Sequence, residues 1–260
     1  MTNDPATPEA VAQIITENDY VRSRQNPRPG DPLYLHLADL RQAMAMVAAI
    51  NPRRILDFGC GGSPYRNLFS GAQYYRADLP DTTGTDYVIQ PDSTINAAEG
   101  QFDLVLSTQV LEHIATPGNY LRECFRLLAP GGQLFLTTHG FYEEHACPND
   151  FHRWTADGLR HDVEAIGFQS QTVHKLTTNG RAMLQLMEQY SGALFGPRWH
   201  PFGLWLGLIR WLPASRRALV HRCSDRYHFN YRVVADKEPG HSFYLALAIR
   251  AVKPREATPQ

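Results

Sequence analysis

The fold of this chain is decided by the stretch Ile55-Leu56-Asp57-Phe58-Gly59-Cys60-Gly61-Gly62-Ser63. An apolar segment typical of a buried β-strand ends in a carboxylate and then passes through three glycines within four residues. Glycine tolerates positive φ and lets another group approach the backbone closely. Because open α/β sheets bind nucleotide-like ligands at the carboxyl ends of their strands, this glycine turn predicts a ligand site.

Two phosphate-binding motifs do not fit this turn. A P-loop requires Gly-Lys-Ser/Thr, whereas Gly62 is followed by Ser63 and Pro64. A dinucleotide fingerprint that starts at Gly59 would have Pro64 at the position of its last glycine. The carboxylate of Asp57 would repel a phosphate, but it could accept a hydrogen bond from an amino group or a hydroxyl.

Strands and helices alternate along most of the chain. Besides 55–58, strands are predicted at 74–77, 102–107, 134–138, 171–176 and 243–252. Helices are predicted between several of them, one beginning at Pro117 and one capped by Thr155. This alternation predicts an α/β fold with a doubly wound, mostly parallel sheet.

The composition divides the chain into three regions. Residues 1–30 form a polar lead-in, where prolines between 27 and 32 discourage regular structure. Residues 31–179 and 241–253 form the core, and 180–240 form a helical, aromatic-rich insertion before the last strand. We interpret that insertion as a lid that packs on the core, and leave acceptor binding, a dimer surface and membrane-surface contact open.

Composition and charge exclude several classes of protein. A net charge of −1 gives no electrostatic argument for nucleic-acid binding. The four cysteines form no C-x-x-C pair, which argues against a thiolate zinc site or a disulfide framework and fits a reducing compartment. No secretory signal is visible, and the most apolar stretch, 202–212, is interrupted by Arg210. We therefore expect a cytoplasmic protein without a transmembrane segment, with peripheral membrane contact left open.

Four features follow successive predicted strands. Asp57 and the glycines follow the first, Asp78 follows the second, Asp92-Ser93 lies in the next connection, and Ser107-Thr108-Gln109 ends the strand after it. Two longer motifs accompany them: Phe-Asp-Leu-Val-Leu-Ser-Thr-Gln-Val-Leu-Glu-His at 102–113 and Leu-Ala-Pro-Gly-Gly at 128–132. In this order and spacing, they resemble class I S-adenosylmethionine-dependent methyltransferases over about residues 55–176. The resemblance implies a seven-stranded Rossmann-like sheet.

The resemblance assigns S-adenosylmethionine as cofactor and places its amino-acid part at the glycine turn. The backbone of Gly59, Cys60 and Gly61 would lie against that part, and Asp57 would help to orient it. The chain departs from the family pattern at Ser63, which replaces the third glycine of the motif. This departure affects the details of the turn.

The resemblance also assigns contacts to the rest of the cofactor. Asp78 would accept both ribose hydroxyls, and Leu79 is a further cofactor contact. Asp92 would meet the adenine amino group with Ser93 beside it, and Gln109 would lie near the sulfonium and its methyl.

A second pattern narrows the resemblance to a subgroup. Gly61-Gly62-Ser63-Pro64-Tyr65-Arg66 and His-x-x-Pro-x-Asp-aromatic-x-Arg-aromatic-Thr at 145–155 resemble methyltransferases found in polysaccharide and natural-product biosynthesis. This points to a small-molecule or glycan-type acceptor.

Residues 139–154 hold the best candidates for catalysis, because reactive groups collect on loops carried by a rigid scaffold. We predict His145 as the general base, with Asp150 or Glu144 orienting its ring, and His139 as the second candidate. An imidazole suits this role near neutral pH. The histidine spacings match no known ligand motif, so no metal site is predicted. The predicted acceptor contacts are His113, Tyr142, Arg153 and Trp154.

The preferred function is O-methylation of a hydroxyl on a small-molecule, sugar or carrier-linked acceptor. N-methylation of a small-molecule amine is the alternative, since a neutral amine needs less help from a base. A non-catalytic cofactor-binding partner subunit is a second alternative, and a nicotinamide oxidoreductase is disfavoured by the missing glycine. The Asp/Asn-Pro-Pro-Tyr signature of nucleic-acid amino-methylation is absent after Ser107. The oligomeric state is left open between monomer and homodimer.

Overall fold

The computed structural model describes residues 17–190, 214–226 and 233–255. The predicted aromatic-rich part of the insertion, 195–211, lies outside the described residues. The helices are α1 (Glu17–Gln25), α2 (Tyr34–Ala48), α3 (Pro117–Leu127), α4 (Ala156–Glu164), α5 (Asn179–Tyr190) and α6 (Ala214–Arg226). The strands are β1 (Arg54–Phe58), β2 (Gln73–Asp78), β3 (Tyr87–Val88), β4 (Phe102–Thr108), β5 (Leu128–His139), β6 (Gln169–Thr178), β7 (Val233–Ala235) and β8 (Tyr244–Val252).

The strands form one sheet in the order β3-β2-β1-β4-β5-β8-β6-β7. Pairs from β3 to β5 are parallel, whereas β8 runs antiparallel to both β5 and β6. The predicted doubly wound, mostly parallel sheet is confirmed. The described residues contain eight strands where seven were predicted, because β7 adds an edge strand to β6. Three residues are too few to show strand periodicity in the sequence.

Helices cover both faces of the sheet, because successive side chains of β4 pack alternately in two core clusters that contain different helices. Val105 packs in one core cluster with Tyr120 and Leu121 of α3. Leu104 and Leu106 pack in the other cluster, with Leu40, Met44 and neighbouring residues of α2. The central strands are apolar because both of their faces are covered. This arrangement leaves the carboxyl ends of β1, β2, β4 and β5 at one edge of the sheet, where the predicted site residues lie.

The polar lead-in is not free of regular structure, in contrast to the prediction from its prolines. Helix α1 lies within it and ends at Gln25, so the prolines from 27 onward follow the helix instead of preventing it. A Cβ added to Gly62 would lie 2.6 Å from Cγ2 of Val21 on this helix. Helix α1 is therefore packed directly against the glycine turn.

A buried ion cluster joins α5 and α6 of the predicted insertion to α2 of the core. The guanidinium of Arg181, 1 % exposed, contacts Asp39 through Nε at 2.8 Å and Asp225 through Nη1 at 2.9 Å. None of the helices in the described part of the chain has the length and apolarity that a membrane span requires.

Candidate active site

The glycine turn after β1 has a conformation that only glycine adopts readily. Gly59 has a φ of +82°, and a Cβ on it would lie 2.5 Å from Cγ2 of Val110. The amide groups of Gly59 and Cys60 both donate to the carbonyl oxygen of Ala77, at 2.9 and 3.1 Å. The turn is thus fastened to the end of β2, immediately before Asp78.

Asp57 is buried at the base of this turn, with only 5 % of its surface exposed. Its Oδ2 accepts a hydrogen bond from the Tyr74 hydroxyl at 2.6 Å. Burial raises the pKa of the Asp57 carboxyl to about 7, against an ordinary value of 3.8. A cation placed beside this carboxyl would favour its ionised form, so the position suits a ligand with a positively charged amino group.

Asp78 is held at the same turn by two backbone amides. Its Oδ2 accepts from the Gly61 N–H at 2.5 Å, and its Oδ1 accepts from the Leu79 N–H at 2.7 Å. Arg76 fixes the other side of the turn, because its Nη2 donates to the Gly61 carbonyl oxygen and its Nε to Ser63 Oγ, each at 2.8 Å. The Leu79 side chain is 48 % exposed and offers an apolar surface next to this carboxylate.

The structure places the remaining predicted cofactor residues at the ends of β3 and β4. Asp92 is exposed, and its Oδ1 accepts from the N–H of Thr94 at 3.0 Å and from its hydroxyl at 2.7 Å. Ser93 beside it is buried. Gln109 directly follows β4, and its Nε2 donates to Thr137 Oγ1 at 3.2 Å. The Oε1 of Gln109 is buried without a hydrogen-bond partner among the described residues, so it can accept from a ligand.

A cluster of aromatic and imidazole rings surrounds the end of β5. The ring of His139 stacks on Tyr142 with centroids 4.1 Å apart, and its Nε2 lies 3.3 Å from Oε1 of Glu112. Burial holds the pKa of His139 well below its ordinary value and raises the pKa of the Glu112 carboxyl to about 7. The other carboxyl oxygen of Glu112 accepts from the Thr138 hydroxyl at 2.8 Å.

His145 joins this cluster from the loop that follows. Its ring centroid lies 5.0 Å from that of His139 and 5.0 Å from that of His113. Its Nδ1 lies 3.2 Å from the carbonyl oxygen of Glu143. Because a carbonyl oxygen only accepts, this contact favours the neutral tautomer that has its proton on Nδ1 and its lone pair on Nε2.

Asp150 and Arg153 form the ion pair that orders this loop. The Arg153 guanidinium donates to both carboxylate oxygens of Asp150, at 2.5 and 2.6 Å, and holds the pKa of Asp150 well below its usual range. Asp150 Oδ2 also accepts from the backbone N–H of His145 at 2.8 Å and lies 3.5 Å from its Nδ1. Asp150 therefore holds the backbone of His145, and its role in orienting the ring stays a prediction.

The predicted acceptor contacts separate into two groups. His113 and Tyr142 have their rings in the imidazole cluster. Arg153 is committed to Asp150 and to the carbonyl oxygens of the loop. Trp154 packs in the hydrophobic core and donates through Nε1 to Asp162 at 2.9 Å. The structure thus brings the first two close to His145 and places the other two in structural contacts.

Three residues at the site were not among the predicted site residues. Glu112 is fully buried, and its sequence signal is a carboxylate within the apolar stretch Val-Leu-Glu-His. The ring centroids of His36 and Tyr142 lie 5.7 Å apart, and burial lowers the pKa of His36 to about 4. Tyr20 of α1 brings its hydroxyl within 3.7 Å of a Cβ built on Gly61. Because the lead-in was expected to lack regular structure, Tyr20 had no predicted position.

The fold and the site define an α/β protein whose parallel strands end at a glycine turn flanked by acidic residues. A family model described as a methyltransferase domain matches residues 33–190, and the chain belongs to this family.

Individual proteins show the same similarity. The chain is 37 % identical over 101 residues to a ubiquinone biosynthesis O-methyltransferase from Xanthomonas oryzae pv. oryzae, covering 33 % of this chain and 42 % of the relative. It is 30 % identical over 124 residues to a protein of that name from Pseudomonas aeruginosa, covering 42 % of this chain and 51 % of the relative. The chain thus spans about half the length of the curated relatives it matches.

A solved structure shares the fold. It is the 1,6-didemethyltoxoflavin-N1-methyltransferase from Burkholderia thailandensis, solved with 1,6-didemethyltoxoflavin and S-adenosylhomocysteine. The TM-score is 0.50 at 16 % identity, and the match covers 98 % of this chain and 93 % of the other.

Proposed function

We propose that this protein is an S-adenosylmethionine-dependent methyltransferase that methylates a hydroxyl of a small-molecule, sugar or carrier-linked acceptor. One observation carries the proposal: the Asp78 carboxylate accepts a hydrogen bond from the Gly61 amide. The acidic residue at the end of β2 and the glycine turn after β1 therefore form one site. Membership in the methyltransferase-domain family supports it.

The residues at this site fit the cofactor part by part. Asp57 would take the amino group of the methionyl part, because a nearby cation stabilises the ionised carboxylate. Asp78 would accept the ribose hydroxyls, Leu79 and Asp92 would contact the adenine, and the unpartnered Oε1 of Gln109 would face the methyl-bearing end. When bound, S-adenosylmethionine supplies an electrophilic methyl group, so the protein's own work is to orient the acceptor and manage its proton.

The imidazole cluster supports a hydroxyl acceptor over an amine. Nε2 of His145 would take the hydroxyl proton, since Nδ1–H is held by the Glu143 carbonyl oxygen and the loop by Asp150. Tyr142 and His113 border the same space and would contact the acceptor. The names of the curated relatives agree with O-methylation. We propose that the enzyme acts in the cytoplasm, as a monomer or homodimer.

The experiment compares wild type with His145→Ala for transfer of a labelled methyl group to a panel of hydroxyl and amine compounds, with cofactor affinity measured in parallel. General-base catalysis is worth about 10²–10⁴-fold, so turnover of a hydroxyl acceptor should fall by about that factor while cofactor affinity is unchanged. His161→Ala, an exposed position on α4, is the matched control. Unchanged turnover of His145→Ala would remove the residue from this role, and transfer to amines alone would favour the N-methyltransferase alternative.

A further inference from the structure

Three potential metal ligands converge at the turn after β4, although the spacing of the histidines in 139–154 predicted no metal site. One carboxylate oxygen of Glu112 and one ring nitrogen each from His113 and His145 all lie within 4.8 Å of one another. Glu112 is buried, whereas the two histidines are half-buried. The carboxylate of Glu112 is therefore the buried ligand of this cluster, and the side formed by the two histidines is partly accessible to solvent.

Both imidazoles are held in the tautomer that a metal ligand needs. Nδ1 of His113 lies 2.6 Å from the carbonyl oxygen of Asn149, and Nδ1 of His145 lies 3.2 Å from that of Glu143. Since a carbonyl oxygen only accepts, each contact favours the neutral tautomer with its proton on Nδ1 and its lone pair on Nε2. Metal-binding histidines in proteins are usually held in this way, with the second ring nitrogen donating to a carbonyl or carboxylate.

The carboxylate supplies a second, independent observation. Oε1 of Glu112 is buried and has no hydrogen-bond partner among the described residues, and its contact with His139 Nε2 at 3.3 Å lacks hydrogen-bond geometry. Oε2 is already used by the Thr138 hydroxyl. A buried polar atom without a partner is costly, and a cation bound at Oε1 would remove that cost.

We propose that Glu112, His113 and His145 bind a divalent transition-metal ion of the Zn²⁺ class, and that this ion holds the acceptor oxygen. Two imidazoles and one carboxylate with an open fourth position are the donor set of many catalytic zinc sites. Mg²⁺ and Ca²⁺ prefer oxygen ligands, so they fit this set less well.

The spacing requires a small contraction on binding. Bonds of about 2.0–2.1 Å in a tetrahedral site put ligand atoms roughly 3.4 Å apart. The ligand atoms here, within 4.8 Å of one another, would approach by about 1.4 Å at most. His145, with 35 % of its side chain exposed, has room to rotate toward the buried carboxylate.

The inference rests on the proposed function and deepens it. With an ion bound, the Nε2 lone pair of His145 is used by the metal, and the acceptor hydroxyl occupies the open position. A bound ion would lower the pKa of that hydroxyl, whose proton would pass to solvent water; the oxygen would then take the methyl group as S-adenosylhomocysteine leaves. In the metal-free protein, Nε2 of His145 remains the base.

The test is titration of the full-length, chelator-treated protein with Zn²⁺ alone, followed by calorimetry. One ion should bind per chain, at least tenfold more weakly in Glu112→Gln and in His145→Gln. His161→Gln on α4 and Cys147→Ser, both at exposed positions, should bind like wild type. Equal Zn²⁺ affinity in wild type and His145→Gln would overturn the site.

A second readout identifies the ligands. Co²⁺ substituted into wild type should show the visible absorption of a four- or five-coordinate ion without a thiolate charge-transfer band. A thiolate band that disappears in Cys147→Ser would overturn the assignment. If Glu112→Gln does not fold, the Zn²⁺ affinity of His145→Gln decides whether the site exists, because this side chain is only half-buried on a loop.

S-Adenosylmethionine binding, measured on the same samples, separates this inference from the proposed function. Wild type that binds the cofactor but not Zn²⁺ overturns the metal site alone. Wild type that does not bind the cofactor overturns the proposed function, whatever the metal result.

Discussion

Gly59→Ala is the substitution whose cost the structure determines most closely. The residue has a φ of +82°, where an L side chain costs about 1–2 kcal/mol. The new Cβ would also lie 2.5 and 2.9 Å from the two methyl carbons of Val110. Overpacking of this kind costs about 1–3 kcal/mol, so we expect a total loss of about 2–5 kcal/mol in the free energy of unfolding.

Urea unfolding measures this loss. Substitutions at two other glycines separate the cost of the backbone conformation from the cost of the contact with Val110. Gly240 has a φ of +81° with nothing within 4 Å of a built Cβ, so Gly240→Ala should cost only the backbone part. Gly71 has neither a positive φ nor a neighbour, and Gly71→Ala should be neutral or slightly stabilising. In a Val110→Ala background, Gly59→Ala should cost about 1–2 kcal/mol, the backbone part alone. Equal costs for Gly59→Ala and Gly240→Ala in the wild-type background would show that the contact with Val110 adds no penalty.

Three further substitutions test the electrostatics of the fold and the loop. The folded Asp57 has a pKa of about 7, so it keeps its proton at pH values where the unfolded carboxyl has lost it. Wild type should therefore lose on the order of 4 kcal/mol of stability relative to Asp57→Asn as pH rises from about 4 to 7, and no more above pH 7. Urea unfolding measures this difference, and parallel stability profiles of the two proteins would contradict the expectation. Arg181→Met removes the buried guanidinium that contacts Asp39 and Asp225 and should cost about 3–5 kcal/mol by the same assay, whereas a loss under 1 kcal/mol would show that these ion pairs are dispensable. Asp150→Asn removes the charge paired with Arg153 and should raise amide hydrogen exchange across 139–154 with cofactor affinity unchanged; unchanged exchange would mean that other contacts order the loop.

The residues that we propose to bind the cofactor could be grouped from the sequence because they follow strands. Each strand is a short apolar run, and parallel strands bring their carboxyl ends to one edge of the sheet. The register that pairs Asp57 with Arg76 then places Asp78 at the level of the glycine turn. Order along the chain was therefore sufficient to bring these groups together.

The rest of the fold depends on contacts between distant segments. Helix α1 is weakly amphipathic, and only tertiary packing places its Val21 on Gly62. Strand β7 exists because its three residues find an open edge on β6. Local sequence carries little information about either contact.

The residues that we propose for catalysis could be grouped from the sequence only in part, for the same reason. His113 and His145 are far apart in the chain and match no ligand spacing. They meet because the loop folds back on the turn after β4, where the Phe151 N–H donates to the Glu112 carbonyl oxygen at 2.8 Å. The burial of Glu112, and the unpartnered oxygen that follows from it, arise only once β5 lies beside that turn.

The central claim is that the acidic strand ends and the glycine turn bind S-adenosylmethionine. Calorimetry with this cofactor, on wild type, Asp78→Asn and the exposed control Asp81→Asn, tests it most directly. Wild type and Asp81→Asn should bind alike, and Asp78→Asn should bind about 10–150-fold more weakly, the equivalent of losing about 1.5–3 kcal/mol of charged hydrogen bonding. Folded wild type that gives no heat with the cofactor, or Asp78→Asn that binds as tightly as wild type, would contradict the claim.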